Sequence, residues 1–377
     1  MRIVLLDPPN FTPPYDHHLA AALAARAHEV DLVAAPPVRG RAPEPHGYRR
    51  HEPFLPLSSR LVRRAPRSPV RHVLKGAEYP FSVRRALGLL GRLRPDVVHV
   101  QWLGLPRYDV RWLRRIVERY PTVLTAHDVF PRRRASGRAW GEALGLVDRV
   151  VVHSDRAVAE LAAAGLARER LVRVLHPVFP ALTGRSPGEP SGTTLLFFGL
   201  IRAYKGLDVL VRALPAVLAA VPEARLVVAG EPFDPPDEAV RLARELGVEH
   251  AIEWRLRFVE DEEAADLFAH AAVAVLPYRK LESSGVLATA LGYGRPAVVS
   301  DVGSLGPIVG EFAAGRVVPP DDSGALARAC VELLTDEEAL RTAAQGARAA
   351  AASLTWTSAA EEHEAVYREI AAARMGT

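Results

Sequence analysis

Two cations mark the point where an apolar stretch in the second half of the chain gives way to an amphipathic one. Residues 195–199 read LLFFG, which is typical of a buried parallel strand, and an amphipathic helix is predicted to begin at Leu207. Arg202 and Lys205 lie in the turn that Gly199 opens between the two. Ligands bind at the carboxyl ends of strands in open α/β sheets, where a helix N-terminus adds positive charge. The pattern predicts a diphosphate site, although two solvated loop cations would leave the same pattern.

A second helix start in the same half of the chain also has the character of an anion site. Ser283, Ser284 and Gly285 follow an apolar strand, and the helix that they begin is predicted to end near Tyr293. The free N–H groups of a first helical turn, beside small side chains, let a phosphate approach closely. A routine strand-to-helix turn explains either site alone, but the pair favours an anionic ligand.

Polar residues follow two apolar strands of the first half, which read VVHVQ and TVLTA. The ends of parallel strands meet at one edge of the sheet, and a histidine there can contact a sugar or phosphate, or act as an acid or base. His127 is therefore a candidate functional residue, whereas His99 lies inside its strand, as a core histidine would. Gln101 and Asp128 are candidates for the same crevice.

A proline-rich loop, PPNFTPPYDHH, follows the first predicted strand at residues 2–6. The next helix is predicted over residues 17–27 with Asp16 as its N-cap. This arrangement places Asp16, His17 and His18 at the mouth of a shaped binding loop. Helix capping is the alternative for the histidines.

Strands and helices alternate in both halves of the chain, which predicts an α/β protein with two doubly wound sheets and a cleft between them. The Pro-, Gly- and Ser-rich segment 176–194 has no periodicity and separates the halves. We expect one Rossmann-like domain over residues 1–178, a linker over 179–193 and a second such domain over 194–357. With 377 residues, of which 49% are hydrophobic, the chain is long enough for two cores.

No apolar run reaches membrane-spanning length, and the N-terminal apolar residues are interrupted by Asp7, Pro8 and Pro9. A first buried strand is favoured over a signal peptide. The single cysteine, Cys330, excludes an internal disulfide and has the setting of a small core residue. We expect a cytoplasmic location.

The net charge of +4 conceals a strongly basic segment, residues 49–94, which holds twelve Lys and Arg against Glu52 and Glu78. Such a segment attracts anions. The residues between the cations are mostly Pro, Leu and Val rather than stacking aromatics, which argues against nucleic acid. An anionic membrane surface, an anionic acceptor and a plain solvated face all fit this composition.

Four segments resemble the retaining, sugar-nucleotide-dependent glycosyltransferases of family 4, which have the GT-B fold. The segments are FFGLIRAYKGLDVLVRAL, LPYRKLESSGVLATALGYGRPAVVSDVGSL, AAGRVVPPDDSGALARACVELL and LTWTSAAEEHEAVYREI. The resemblance covers nearly the whole chain, and the second segment is its most specific part. It implies that residues 1–178 bind an acceptor, that 194–357 bind the donor, and that a final helix within 358–377 crosses back to the first domain.

The resemblance also implies roles for single residues. Arg202 and Lys205 would hold the donor diphosphate and support its departure, and His127 would lie near the transferred sugar. The loop at residues 8–15 would approach donor and acceptor, although it is rich in proline where the family is often rich in glycine. The other implied donor contacts are Gly199, Glu282, Ser284, Gly285, Val286, Leu287 and Thr289. The implied acceptor contacts are Tyr15, Asp16, His17, Gln101 and Asp128.

One family feature is missing. The two glutamates that the family usually carries eight positions apart fall here on Leu281 and Thr289. Glu282 is one position from the first, and no acidic residue stands in for the second, whose usual task is to hold the ribose hydroxyls. The identity of the nucleotide is therefore open.

The expected reaction is transfer of a sugar from a nucleoside diphosphate sugar to a hydroxyl acceptor with retention of configuration. The leaving phosphate would take the acceptor's proton, and no metal is expected, because neither an Asp-x-Asp motif nor a His/Cys cluster of ligand spacing occurs. A nucleotide-sugar 2-epimerase and a non-catalytic GT-B scaffold are the alternatives. The acceptor can be a cell-envelope glycan, a lipid-linked sugar or a small secondary metabolite.

Overall fold

The chain folds as two compact units, each built on one parallel sheet, as the alternation of strands and helices predicted. The computed structural model describes residues 1–38, 40–65, 70–129, 137–182 and 188–375. Unit 1 comprises Met1–Leu175 and Trp356–Thr377, and unit 2 comprises His176–Thr355.

The sheet of unit 1 has seven strands, and every neighbouring pair is parallel. The strands are β1 (Arg2–Asp7), β2 (Glu29–Ala34), β3 (Arg49–His51), β4 (Val97–Val100), β5 (Thr122–Thr125), β6 (Arg149–Val152) and β7 (Leu171–Arg173). Their order is β3-β2-β1-β4-β5-β6-β7, so the winding reverses between β1 and β4. Ligands of open α/β sheets bind at the carboxyl ends of the strands beside such a reversal.

Helices cover both faces of this sheet, because each parallel crossover needs a helix-sized connection. They are α1 (Pro13–Ala25), α2 (Pro56–Arg64), α3 (Val70–Leu93), α4 (Pro106–Val117), α5 (Gly137–Leu146) and α6 (Asp155–Ala163). Ser154 caps α6, since its side chain accepts from the Ala157 amide.

The helix after the proline-rich loop begins earlier than predicted. α1 starts at Pro13 with Thr12 as its N-cap, so Asp16 lies inside its first turn. The expectation of Asp16 as the N-cap is therefore wrong. Proline fits the first turn of a helix because the N–H that it lacks would have no partner there, and this allowed the start to move into the loop.

The sheet of unit 2 has six parallel strands. They are β8 (Thr194–Phe198), β9 (Arg225–Ala229), β10 (Ile252–Arg255), β11 (Val273–Leu276), β12 (Ala297–Ser300) and β13 (Gly315–Val318). Their order is β10-β9-β8-β11-β12-β13, with the reversal between β8 and β11. The helices are α7 (Leu207–Ala220), α8 (Asp237–Glu245), α9 (Asp261–His270), α10 (Gly285–Gly292), α11 (Leu305–Glu311), α12 (Ser323–Thr335) and α13 (Glu337–Ser353).

The segment predicted as a linker, residues 179–193, is largely part of unit 2. The Val178 amide donates to the Leu354 carbonyl (2.8 Å), and Phe179 is buried. The Leu182 amide donates to the Tyr293 hydroxyl (2.9 Å). Apolar side chains inside this Pro-rich stretch anchor it, which its lack of periodicity did not reveal. Residues 183–187 lie outside the described part.

The last helix, α14 (Trp356–Met375), belongs to unit 1, although unit 2 precedes it in the chain. Arg26 of α1 donates to Glu364 (2.6 Å) and to Glu361 (2.8 Å) of this helix. The Tyr367 hydroxyl lies 2.6 Å from Nδ1 of His99 in β4. The helix therefore begins two residues before the predicted position and closes one face of the first sheet.

Among the described residues, no helix combines the length and the apolar character that crossing a membrane requires.

Candidate functional site

In unit 2, the turn after β8 brings three of the predicted donor residues together. Gly199 has φ 93°, and a Cβ placed on it would lie 3.1 Å from Nζ of Lys205 and 3.1 Å from Cγ2 of Val286. Lys205 is mostly buried, with Nζ 3.4 Å from the Phe198 carbonyl and 5.3 Å from the centre of the Tyr278 ring. Gly199 therefore approaches an ammonium group and the first turn of α10 more closely than a residue with a side chain could.

Gly206 fixes where Lys205 stands. It has φ 66° and links the 3-10 turn Ala203–Lys205 to α7. A Cβ at this position would lie 2.0 Å from the Pro277 carbonyl oxygen, so both conformation and space require glycine.

Arg202 is positioned by a different loop. Its guanidinium carbon lies 3.8 Å above the Phe233 ring centre, and the following amide, that of Ala203, donates to Asp234 (2.9 Å). Arg202 therefore lies against the loop that follows β9, whereas Lys205 lies on the side of the turn that faces α10.

Arg279, which the sequence analysis missed, ties this turn to the end of β11. Its amide donates to the Tyr204 carbonyl (2.8 Å), and Nη1 donates to the Ala203 carbonyl (2.8 Å). Its guanidinium also makes a two-point contact with Asp208 in α7 (2.9 and 2.7 Å) and reaches Asp321 (2.6 Å). No motif distinguishes it from a solvated cation. The available signal was its position directly after an apolar strand.

The predicted second anion site is the N-terminus of α10, which begins at Gly285 rather than at Ser283. Ser284 is its N-cap, and its hydroxyl accepts from the Leu287 amide (3.3 Å). That amide already has a partner, so the donors of the first turn that best suit a ligand are those of Gly285 and Val286. Thr289 turns its hydroxyl back to the Gly285 carbonyl (2.8 Å) and does not act as the missing carboxylate.

Glu282 is mostly buried, and its carbonyl accepts from the Ser304 amide (2.8 Å). A Cβ on Gly303 would lie 2.4 Å from that carbonyl oxygen. Close packing of the two loops therefore fixes the backbone just before Ser284.

In unit 1, a pair of buried carboxyl groups lies beneath the loop after β1. Asp7 accepts from the amides of Asn10 (2.9 Å) and Thr12 (3.4 Å) and thereby shapes the loop. Burial raises the pKa of Asp7 to about 6, and burial and the charge of Asp7 raise the pKa of the neighbouring Asp16 well above the ordinary value. Asp16 is fully buried, so the expectation that it lies at the mouth of the loop is wrong.

An aromatic cluster surrounds His127 directly after β5. The Trp102 ring stacks on His127 (5.0 Å between ring centres, 13° between planes), and Tyr15 meets it edge-on (4.9 Å, 90°). Tyr15 also packs edge-on against Trp356 of α14 (5.1 Å), on which His18 stacks. Tyr15 is therefore a buried support for His127.

The ring of His127 belongs to a chain of hydrogen bonds. His153, directly after β6, places Nδ1 2.8 Å from the Val174 carbonyl and Nε2 3.2 Å from Nδ1 of His127. A carbonyl only accepts, so His153 carries its proton on Nδ1. Burial lowers the pKa of His153 to about 4, so it is neutral near pH 7, and its Nε2 accepts from Nδ1–H of His127.

The other ring nitrogen of His127, Nε2, lies 3.1 Å from Oε1 of the fully buried Gln101. An amide oxygen only accepts, so this contact is a hydrogen bond only when Nε2 carries a proton as well as Nδ1. Gln101 therefore orients His127 from below the sheet edge. The signal for His153 was in the sequence, since this histidine follows its strand just as His127 follows β5.

The remaining predicted acceptor residues lie closer to the surface. His17 is half-buried, with Nδ1 2.9 Å from the Tyr48 hydroxyl. Asp128 is half-buried next to His127. The chain from 130 to 136, just beyond, lies outside the described residues.

Within the described residues, no three His, Cys, Asp or Glu side chains are grouped as a metal site would need.

Comparison with known proteins identifies the family. Residues 15–181 match the family described as Glycosyltransferase Family 4, and residues 192–336 match Glycosyl transferases group 1. A D-inositol 3-phosphate glycosyltransferase of Catenulispora acidiphila is 30% identical over 345 residues, which are 82% of this chain and 80% of that protein. The chain belongs to glycosyltransferase family 4.

Further glycosyltransferases resemble this family 4 protein in sequence or in fold. A D-inositol 3-phosphate glycosyltransferase of Streptomyces bingchenggensis is 28% identical over 293 residues, 72% of this chain and 64% of that protein. Sucrose-phosphate synthase of Thermosynechococcus elongatus has the same fold, with a TM-score of 0.76, 20% identity and coverage of 99% of this chain and 100% of that one. Anabaena HepE in complex with UDP and glucose gives a TM-score of 0.73 at 16% identity, with coverage of 98% and 100%. The fold is GT-B, and the protein is a glycosyltransferase.

Proposed function

We propose that this glycosyltransferase uses a nucleoside diphosphate sugar as donor, binds it on unit 2, and transfers a hexose with retention of configuration. The observation that carries the proposal is the convergence of the Lys205 ammonium, the Gly199 backbone, which carries no side chain, and the first turn of α10. A diphosphate fits a buried cation beside free helical amides. The HepE structures that share the fold contain UDP or UDP-glucose, which supports this donor class.

These groups can promote the reaction by stabilising the negative charge of the leaving diphosphate. As the bond between the anomeric carbon and the diphosphate oxygen breaks, negative charge grows on the diphosphate. Lys205 and the amides of Gly285 and Val286 stabilise that charge more in the transition state than in the ground state. The acceptor hydroxyl forms the new bond on the same face, and its proton passes to the leaving phosphate oxygen. No separate base is needed, and we propose that no metal takes part.

The acceptor is assigned to unit 1. We propose that His127 contacts the transferred sugar and that His17 and Asp128 contact the acceptor. The burial of Tyr15, Asp16 and Gln101 gives them supporting roles beneath these residues. We propose that the reaction takes place in the cytoplasm, where thiols stay reduced, because the one cysteine, Cys330, is free and buried. We also propose peripheral contact with an anionic membrane.

Nucleotide binding tests the donor site most directly. Calorimetry with UDP, GDP, ADP and dTDP should find one nucleotide that binds, and Lys205→Ala should weaken that binding. With the matching sugar nucleotide, Lys205→Ala should lower turnover by roughly 10²- to 10³-fold, because a positioned charge of this kind acts mainly in the transition state. Lys280→Ala is the matched control, since Lys280 is exposed in the same unit.

Product analysis then separates the alternatives. Sugar transfer to D-inositol 3-phosphate, the acceptor in the relatives' names, or to another hydroxyl acceptor, with the anomeric configuration kept, supports the proposal. Conversion of the sugar nucleotide without any acceptor would point to a 2-epimerase. Unchanged turnover in Lys205→Ala, or no nucleotide binding at millimolar concentration, would count against the proposed donor site and favour a scaffold.

A further inference from the structure

One helix of unit 1 presents an apolar stripe to solvent. Val70, Val73, Ala77 and Phe81 recur on α3 at steps of three and four residues, which places them along one side of the helix. Val70 is 58% exposed, Val73 74% and Phe81 67%. Large apolar side chains grouped on an exposed face mark interaction sites, whereas single ones need no explanation.

Hydrogen bonds to neighbouring elements hold the other sides of α3 in place. The exposure of the stripe is therefore not a sign that the helix is loosely packed. Tyr79 donates to Asp109 (2.8 Å), and the Ser82 hydroxyl accepts from the Leu55 amide (3.0 Å). Glu78 accepts from the amides of Leu57 and Ser58 (2.8 Å each) and so ties the N-terminus of α2 to α3.

Exposed arginines lie on α3 and on the neighbouring helix α2. Arg84 and Arg85 are exposed on the next turn of α3, and Arg60 and Arg64 are exposed on α2. The two carboxylates of the basic segment are already engaged, Glu52 by Arg50 (2.9 Å) and Glu78 by the start of α2. In the described part of the chain, none of these four arginines forms an ion pair, so the charge of the surface is not neutralised.

We propose that this surface, defined by Val70, Val73, Phe81, Arg60, Arg64 and Arg84 and called here the α2–α3 face, docks on an anionic lipid membrane. Apolar side chains beside arginines are what interfacial helices present, because the former enter the acyl boundary and the latter meet the headgroups. A second copy of the chain would bring two basic surfaces together, and nucleic acid would need stacking aromatics in place of valines.

Vesicle cosedimentation tests the proposal without any sugar donor, so its outcome is independent of the proposed reaction. The wild type should bind vesicles of phosphatidylcholine mixed with phosphatidylglycerol and not vesicles of phosphatidylcholine alone. Arg60→Ser/Arg64→Ser should weaken binding by roughly twentyfold, since each basic residue near an anionic surface contributes about fivefold. Added salt should weaken it further, because exposed charges are screened beyond about 8 Å at physiological ionic strength.

Two further variants report insertion of the apolar stripe. Val73→Ser/Phe81→Ser should lose vesicle binding with an unchanged thermal unfolding midpoint, since both positions are exposed. Phe81→Trp should give a tryptophan emission that shifts to shorter wavelength with the mixed vesicles, and Leu246→Trp on unit 2, 39% exposed in the native protein, should not. Arg111→Ser/Arg115→Ser, on the exposed side of α4 in unit 1, is the matched charge control and should bind like the wild type.

The proposal is wrong if the wild type does not bind the mixed vesicles, or if Val73→Ser/Phe81→Ser binds them as strongly as the wild type does. A dimer in sedimentation that Val73→Ser/Phe81→Ser dissociates, with no vesicle binding, would instead assign the stripe to a second copy of the chain.

Discussion

The carboxyl edges of the two sheets differ in the groups that form them. In unit 2 the edge is made of backbone and small residues around Lys205, with Gly199 and Gly206 placed where no side chain fits. In unit 1 the same edge is filled by buried side chains that hold one another, among them Asp7, Asp16 and the His127–His153 chain. The first edge suits an anion. The second holds aromatic and titratable groups in fixed orientations and protonation states.

The largest expected effect comes from adding a methyl group at Gly199, in the unit 2 edge. Gly199→Ala would place a methyl group 3.1 Å from both Lys205 Nζ and Val286. We expect nucleotide affinity to fall by roughly 100-fold, because the lost positioning adds to the cost of about 1 kcal/mol for alanine at positive φ. Calorimetric titration measures the affinity.

Gly192→Ala is the matched control for that change. Gly192 has φ 75°, but nothing lies within 4 Å of a Cβ built on it. Both variants place alanine at a positive φ, so similar losses of affinity would show that backbone strain, and not crowding beside Lys205, explains the effect.

The sequence predicted more of the unit 2 edge than of the unit 1 edge, because the first is built from backbone geometry and the second from contacts between side chains. The strands predicted at residues 2–6, 97–101, 122–126 and 195–199 lie within two residues of β1, β4, β5 and β8, because buried parallel strands are short continuous apolar runs. Gly199, Lys205 and the helix start at Ser284 were found because backbone geometry demands particular residue types at fixed positions.

Side-chain networks left no such pattern. Asp16 was read as a cap, although its partner Asp7 stands nine residues earlier. His153 and Arg279 were missed, since their partners come from other strands and loops. β3 and α2 were missed too, because periodicity in the basic segment is poor. Long-range pairing of polar groups depends on the fold itself.

The acid pair in unit 1 predicts the next largest effect. The pKa of Asp16 is raised by burial and by the neighbouring Asp7, so Asp16 stays protonated in the folded state at pH values where it ionises in the unfolded state. The unfolded state then binds fewer protons, and this contribution to stability is lost as the pH rises above about 4. Asp16→Asn removes the ionisable group and with it the loss, so it should raise the free energy of unfolding at pH 7 and change it little near pH 4.

Urea unfolding at several pH values measures this difference. Asp109→Asn supplies the contrast, because Asp109 is also buried but only accepts, from the Leu105 amide, Tyr79 and Trp112. That variant should lose stability. A gain for Asp16→Asn that does not grow with pH would contradict the raised pKa of Asp16.

A smaller effect is expected where Arg279 ties the Lys205 turn to β11. Arg279→Gln removes the two-point contact with Asp208 and the bond to the Ala203 carbonyl, so the turn should hold Lys205 less well. We expect the dissociation constant of the nucleotide to rise about tenfold. Arg316→Gln is the matched control, since Arg316 is equally exposed (33% against 32%) and pairs with Glu332 elsewhere in unit 2. Equal effects of the two changes would reduce Arg279 to an ordinary ion pair.

The smallest expected effect tests whether the unit 1 edge works through its histidine chain. His153→Leu leaves Nδ1–H of His127 without its acceptor, so His127 loses its fixed tautomer, whereas His153→Gln keeps a donor to Val174 and an acceptor for His127. We expect about a tenfold fall in kcat with little change in KM for the leucine variant, and near-normal turnover for the glutamine variant. His363→Leu removes another buried histidine, whose Nδ1 lies 2.6 Å from the Ala359 carbonyl, and should alter stability alone. Nitrogen-15 spectra of labelled histidines give an independent readout, because the Nδ1–H form of His127 should persist in His153→Gln and disappear in His153→Leu. If the leucine and glutamine variants share both kcat and the His127 spectrum, His153 serves only the packing of the sheet edge.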